Sequence, residues 1–379
     1  MGSIWKYAYC LIFMLLCSCS NGIVNGEKAK YEFSFADAVE VVKADIFKDK
    51  VFSESHFEEI SEDVQFSGIN KILVLPDRNE LLTLDALGHI DCISYDGQKG
   101  SVNINKGRAR NEYVSAADIA VNTSSIIILE NNKLKLFPLR DNFGSIASVD
   151  LAVRDPVDAV APCGEEHFYV FSAFSSRHRG NERQKDSLLF IVEQNGSLVR
   201  SFSRRKDCTF SLFNISQSKP GKYHLRPQDN NFVFFSLDED GLVADYKLDF
   251  GEKAIPERFF FEEADGDIFK YLTSDYFKLP MECHEAGDYA AFRVAGPNAS
   301  EVSLIFNSKN GKGLYWINKG SEVDLRILGS TGESFICIVS IPERSDSLGP
   351  FAEYVMNEAE RQQLDKSKDY LLFLTPSFL

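Results

Sequence analysis

The sequence predicts an all-β fold, a six-bladed β-propeller with one short helix in the region of the last blade. Three observations lead there. Among 379 residues, 31 Phe and 14 Tyr stand against 4 Met and 2 Trp, a weighting toward side chains that fit pleated sheets. From about residue 69, short apolar runs alternate with turn signals and no long helical periodicity interrupts them. The turns recur near residues 88, 132, 195, 240, 310 and 330, and multi-strand units of ~40–50 residues are the pattern of propeller blades.

The N-terminus is read as an address. After Lys6, an apolar run of about ten residues is too short to cross a bilayer core and suits the middle of an export signal. Leu16-Cys17-Ser18-Cys19 looks like a bacterial lipobox, with Cys19 as the acylated residue and 1–18 as the signal peptide. Acyl chains there would hold the protein on a membrane without a transmembrane helix. Residues 19–32 are polar and rich in Gly and Asn, and are expected to be a flexible tether. Residues 33–379 are expected to form the propeller.

Within that body the clearest unit is ILVL (72–75), a Pro-Asp-Arg-Asn turn, LLTLD (81–85), a turn, and IDCISY (90–95). The pattern recurs as IIIL with LKLFPL, SLLFIVE with SLVRSF, FVFFSL with LVADYKL, and EVSLIF with GLYWIN. Asn-Gly and Asp-Gly turns suit tight hairpins because both residues reach positive φ at little cost. Two long connections interrupt the series, 175–186 and 262–287. An Ala/Glu/Gln-rich stretch at 351–367 reads as the helix. DYLLFLTP (369–376) reads as the closing strand, with a piece near residue 35 pairing close to the junction.

The lipobox, the blade pattern, GRARNEY (107–113), the run at 186–202 and above all YKLDFGEKAIP (246–256) together resemble the six-bladed β-propeller lipoproteins abundant in Bacteroidota. Those proteins carry G-x-G-P-G-E-Y where this chain keeps Gly107, Glu112 and Tyr113 but has Ala109, Arg110 and Asn111 at the other three positions. The resemblance implies fold and address, with lipid anchoring at the outer membrane facing the periplasm or the surface. It implies no common activity.

Charge narrows the partners. A formal net charge of −15 has the wrong sign for a protein that neutralises phosphates, so nucleic acid is excluded as a partner. The chain has no G-x-S-x-G, P-loop, H-E-x-x-H or C-x-x-C motif. Cys163-Gly-Glu-Glu-His167 and Cys283-His284-Glu285 group potential ligands, yet both read as plain turn or strand residues. Asp238–Gly241 and Asp265-Gly266-Asp267 lack the spacing of a calcium loop. The basic run Arg177, Arg179, Arg183, Lys185 with Arg204-Arg205-Lys206 reads as solvated charge. No catalytic residue, metal or cofactor is assigned.

Two function classes stand. One is a binding or scaffolding module for a glycan, peptide or partner protein. The other is a propeller hydrolase, lactonase or lyase, with Asp, Glu and His gathered from several blades at the channel mouth. For the first, Tyr276 and Phe277 with Asp275 and His284 are the expected ligand-binding set, since flat aromatic faces beside polar groups suit sugars and peptides.

Overall fold

The computed structural model describes residues 28–41, 52–64, 68–109, 112–139, 147–153, 156–172, 187–203, 215–225, 232–238, 241–256, 259–318, 324–340, 355, 358–365 and 368–377. Cys19, Cys208, the connection 175–186 and the basic triplet 204–206 lie outside them.

Three N-terminal strands come first: β1 (Tyr31–Ser34), β2 (Ala38–Glu40) and β3 (Phe52–Glu59). Six sheets follow in sequence order. Blade I holds β4 (Ile69–Val74), β5 (Glu80–Asp85) and β6 (Ile90–Ser94). Blade II holds β7 (Asp118–Val121), β8 (Ser125–Glu130), β9 (Lys133–Pro138) and β10 (Ala147–Asp150). Blade III holds β11 (Ala159–Cys163), β12 (His167–Phe171), β13 (Ser187–Glu193) and β14 (Leu198–Ser203). Blade IV holds β15 (Ile215–Lys219), β16 (Lys222–Leu225), β17 (Val233–Asp238) and β18 (Gly241–Asp249). Blade V holds β19 (Lys278–Ala286), β20 (Tyr289–Ala295), β21 (Glu301–Asn307) and β22 (Gly313–Asn318). Blade VI holds β23 (Asp324–Ser330), β24 (Phe335–Ser340) and β25 (Asp369–Pro376).

Each of the six turns read from the sequence falls in a different blade. Their spacing is uneven because they join different strand pairs: second to third in blades I and II, third to fourth in III, IV and V, first to second in VI. Middle strands read as solid apolar runs rather than alternating ones, since blades pack face to face and cover both sides. Ile126, Ile127, Ile128 and Leu129 of β8 are all fully buried.

The N-terminal segment does more than meet the junction. β1 pairs in parallel with β18, β2 in parallel with β22, and β3 antiparallel with β25. One stretch of chain thereby adds an outer strand to blades IV, V and VI in turn, and only β3 lies on the last blade. Blade I receives no such strand. Its outer edge is covered by the segment carrying the family residues: the Ile90 N–H donates to the Tyr113 hydroxyl (2.9 Å) and the Gly100 N–H to the Cys92 carbonyl (2.7 Å). Gly107 lies directly beneath the Glu112 carboxylate, which accepts from the Ala109 N–H at 2.8 Å. The matching Gly, Glu and Tyr therefore shape a loop that substitutes for a missing strand. The other family stretch, Tyr246 to Gly251, buries Tyr246, Leu248 and Phe250 toward blade V, and Asp249 accepts the Gly251 N–H (2.8 Å) where β18 ends.

Helix content is small. Residues 358–363 are helical within the predicted 351–367, and Phe259–Glu262 and Ile268–Leu272 add two short helices in the connection before β19. Asp267 caps the second, accepting from the N–H groups of Phe269 (2.8 Å) and Lys270 (3.3 Å), so the Asp-Gly-Asp triplet is a turn and a cap.

Neighbouring blades interlock at glycines. The Ala152 N–H donates to the Gly196 carbonyl (2.9 Å) and the Ser61 N–H to the Gly97 carbonyl (2.9 Å), the same contact between blades II and III and between VI and I. Both glycines have positive φ, 85° and 78°. A Cβ at either would lie 2.0 Å from a backbone oxygen, of Asp150 or of Glu59. Gly196→Ala is therefore expected to cost several kcal/mol in chemical denaturation, whereas Gly221→Ala, with positive φ but open space around it, should cost only ~1 kcal/mol. Tyr113→Phe should cost about 1–3 kcal/mol by leaving the Ile90 N–H unpaired. Near-equal losses for the two glycine variants would refute the interlock.

Candidate functional site between blades IV and V

Side chains that imitate backbone join the blades near the propeller axis. Gln217 of β15 is buried, accepts from the Val74 N–H of β4 (2.7 Å) and donates to the Val74 carbonyl (3.4 Å), so blade IV is pinned to blade I across the centre. The Tyr223 hydroxyl treats Val121 of β7 likewise, accepting from its N–H (2.9 Å) and donating to its carbonyl (2.8 Å). Asp118 of β7 accepts from the Val160 N–H of β11 (2.8 Å) and pairs with Lys71 of β4 (2.7 Å). Lys71, Asp118 and Gln217 thus link first strands of four blades, β4, β7, β11 and β15.

Beside this axis lies a charged cluster. A Pro220-Gly221 turn, with Gly221 at φ 74°, carries Lys219 and Lys222 at the ends of β15 and β16. His224 follows on β16. Asp245 sits at a bulge in β18, between the pairs Tyr246↔Phe234 and Ala244↔Phe235, and the extra residue turns its carboxylate toward blade V. Glu285 comes from β19. The Lys222 ammonium is 2.6 Å from both Asp245 Oδ2 and Glu285 Oε1, Lys219 is 2.8 Å from Glu285 Oε2, and His224 Nε2 is 3.0 Å from Asp245 Oδ2 and 3.6 Å from Glu285 Oε1.

Burial pushes both carboxyls up, but their partners outweigh it. Hydrogen bonds from His224 and Lys222 hold Asp245 well below the usual carboxylate range, and His224, Lys219 and Lys222 lower Glu285. Burial lowers His224, and the two carboxylates raise Lys222 against its own burial. The donor set of His224, Asp245 and Glu285, within 4.8 Å of one another, is of a kind that binds zinc. The Lys222 ammonium, however, already lies against both carboxylates, and two lysines balance two carboxylates. The arrangement acts chemically as a closed ion-pair network. His224, Asp245 and Glu285 do converge from two blades, but as part of a cluster paired with Lys219 and Lys222.

The sequence-predicted set is dispersed. Phe277 is buried in the aromatic core, 4.3 Å from Phe250 and 4.7 Å from Phe35 between ring centroids. Tyr276 is half-buried, edge-on to Phe259 (5.5 Å). Asp275 is exposed and accepts from Asn298 Nδ2 (2.9 Å). His284 lies seven residues along β19 from Phe277, about 20 Å of extended strand, and is 3% exposed. The connection 262–287 thus ends in an innermost strand, and Asp275 and Tyr276 share a surface region with Phe269, which is 76% exposed. Cys163 and His167 face each other across a turn through Gly164, and Cys283 is buried with its thiol pushed well above its ordinary range by burial. Lys278, also unforeseen, is buried and donates to the carbonyls of Ser274 (3.0 Å), Tyr276 (2.9 Å) and Gly296 (2.8 Å), and burial brings it down to about 8.

Lys222 and His224 stand two apart on β16 and share a face, but Asp245, Glu285 and Gln217 come from other strands, so the set carries no local motif. The single available signal was Asp245, an acid inside the apolar run LVADYKL. Lys222→Met should remove the ammonium shared by Asp245 and Glu285, leaving Asp245 to His224 and Glu285 to Lys219, and cost about 1–3 kcal/mol. The two carboxylates are lowered, so their stabilisation is fully present above the unfolded carboxylate range, about pH 4, and is lost as pH falls below it through their folded values. In the Lys222→Met variant less of that stabilisation remains, so the fall in melting temperature on acidification below about pH 4 should be shallower than in the wild type. An unchanged profile would remove the network from the list of stabilising features.

No curated protein matches the chain. Two solved structures share its fold. One is a protein of Bacteroides fragilis NCTC 9343, named as exported by inference, with a TM-score of 0.70 at 12% identity over 92% of this chain and 99% of that one. The other is a DUF4221 family member from Bacteroides vulgatus, with a TM-score of 0.52 at 8% identity over 87% of this chain and 98% of that one. A family model described as a 6-bladed beta-propeller matches residues 58–282, the span that holds blades I to IV, the loop through Tyr113 and the start of β19. The chain belongs to this six-bladed β-propeller family, DUF5128.

Proposed function

We propose that the chain is an exported lipoprotein, anchored through Cys19 to the outer membrane, whose propeller serves as a binding or scaffolding module for a glycan, peptide or partner protein. The observation that carries the binding reading is the contrast between centre and periphery. Gln217 ties the first strands of blades IV and I, Tyr223 of β16 ties blade IV to the first strand of blade II, and the one cluster of metal-ligating type found among the described residues is paired within itself. Recognition then falls to the connecting loops. The connections into each first strand, and those joining second to third strands, leave the sheets at the same end of the central strands, among them the described residues 259–277 before β19. Loops grouped on a rigid scaffold are where binding residues concentrate. At that end Asp275, Tyr276 and the exposed Phe269 offer a flat apolar face with polar neighbours.

Export is supported by the apolar segment before Cys19 and by the name of the Bacteroides fragilis structure of like fold. Anchoring rests on the Leu16–Cys19 motif alone. Metabolic labelling with a palmitate analogue should mark the wild-type chain and leave Cys19→Ala unlabelled, and full labelling of that variant would remove the anchor. For the binding module, wild type and Phe269→Ala are to be compared on glycan and peptide arrays. The variant should lose at least tenfold in signal with an unchanged melting temperature, because the ring is already in water. Equal signals would move the site elsewhere.

A further inference from the structure

The fold takes hold of the chain close to Cys19. Ala29 is 5% exposed against Phe235 and Ala244 of blade IV, the Lys30 N–H donates to the Ala244 carbonyl (3.1 Å), and β1 opens at Tyr31. The tether expected over 19–32 is therefore shorter, because its last residues already belong to blade IV. Nine Cα steps separate Cys19 from Lys28, and at ~3.5 Å per step they reach at most about 32 Å. A flexible coil of that length averages only about 15–18 Å. A domain of about 350 residues measures roughly 50 Å across, so the far side of the propeller lies beyond that reach.

The point of entry is fixed as well. β1 runs parallel to β18, with Tyr31 opposite Tyr246 and Ser34 opposite Asp249. The chain thus arrives at the end of β18 that begins with Gly241, whereas the connection carrying Phe269, Asp275 and Tyr276 leaves from the other end, after Asp249. From Ala244 to Asp249 alone is about 17 Å of strand. The β1 register covers β18 from Tyr246 onward, and Val243 before it is 47% exposed at the rim. Charge does not select this rim: Lys28, Lys30 and Lys247 stand against Glu32 and Asp249 on the two strands, and Asp238-Glu239-Asp240 precedes β18. What brings it to lipid is the short covalent reach.

We propose that the rim of blade IV around Ala29 and Val243 is the surface of this propeller that lies against the bilayer, and that the loop end bearing Phe269 is thereby turned away from lipid. The inference rests on the acylation of Cys19 proposed above and adds which surface meets the headgroups. Acyl chains buried in the bilayer hold the anchor in place, and β1, locked into blade IV, transmits that hold to one side of the body. The Phe269 face is then free for a partner instead of being pressed on the membrane that carries it.

The experiment uses the full acylated chain reconstituted in phosphatidylcholine vesicles, with a benzophenone side chain in place of Val243 in one sample and of Phe269 in another. Both positions are exposed, so neither replacement disturbs the core. The vesicles are floated and illuminated, and lipid adducts are counted by mass spectrometry. Position 243 should give roughly tenfold more adduct than position 269, which lies past the far end of β18. Inserting twenty Gly/Ser residues after Gly26 lengthens the reach to about 100 Å and should bring the two positions within about twofold. Equal adducts in the unextended chain, or more at 269, overturn the proposal while flotation leaves the anchor standing. A preference for 243 that survives the insertion overturns reach as its cause. A wild-type chain that does not float removes the anchor and this proposal together.

Discussion

A side-chain amide that pairs with a backbone amide across the axis sets the terms for the rest of this propeller. Six first strands meeting at a centre present unpaired N–H and C=O groups to each other, and an unpaired buried group costs about 1–3 kcal/mol. Gln217 answers this for Val74, and Tyr223 for Val121. Each supplies a donor and an acceptor in the geometry of a strand neighbour, so blade IV acts as a surrogate strand for blades I and II. Asp118 does the same service for Val160 while balanced by Lys71. These bonds tie blade IV to blades I and II, and blade II to blade III, through side chains rather than through shared strands.

The periphery depends on this centre and solves the converse problem. Outer strands expose an edge that invites unwanted pairing. Blades IV, V and VI hide theirs behind one continuous N-terminal stretch, and blade I hides its edge behind the loop closed by Tyr113. The closure is thus distributed over three blades rather than confined to a single shared one. The twist of each sheet carries its outer strand round toward the next blade, and Gly97 and Gly196 are two of the points where adjacent blades touch backbone to backbone.

Between blades IV and V the two faces of β19 carry different electrostatics. Glu285 turns toward a balanced network with Lys219, Lys222, His224 and Asp245, and Glu282 and His284 turn the other way toward Arg293. The period-two alternation of a strand is sufficient to separate them. Adjacent residues of the triplet Cys283-His284-Glu285 therefore never act as one ligand set. One lies in an aromatic core, one against the axis and one in the ion-pair network.

The sequence alone determined the all-β class, the six blades and the closing strand, because apolar runs and turn residues record local backbone geometry. It also marked Gly107, Glu112, Tyr113 and the 246–251 stretch without showing their task. Tertiary structure alone decided that Phe277 is core, that Asp275 and Tyr276 remain near the surface beside Phe269, and that Lys222, His224, Asp245 and Glu285 meet. Burial of an aromatic ring in a strand depends on which blade it faces, and charged residues from separate strands become partners only through the sheet twist and the bulge at Asp245. Those are properties of packing between elements, and no spacing along the chain encodes them.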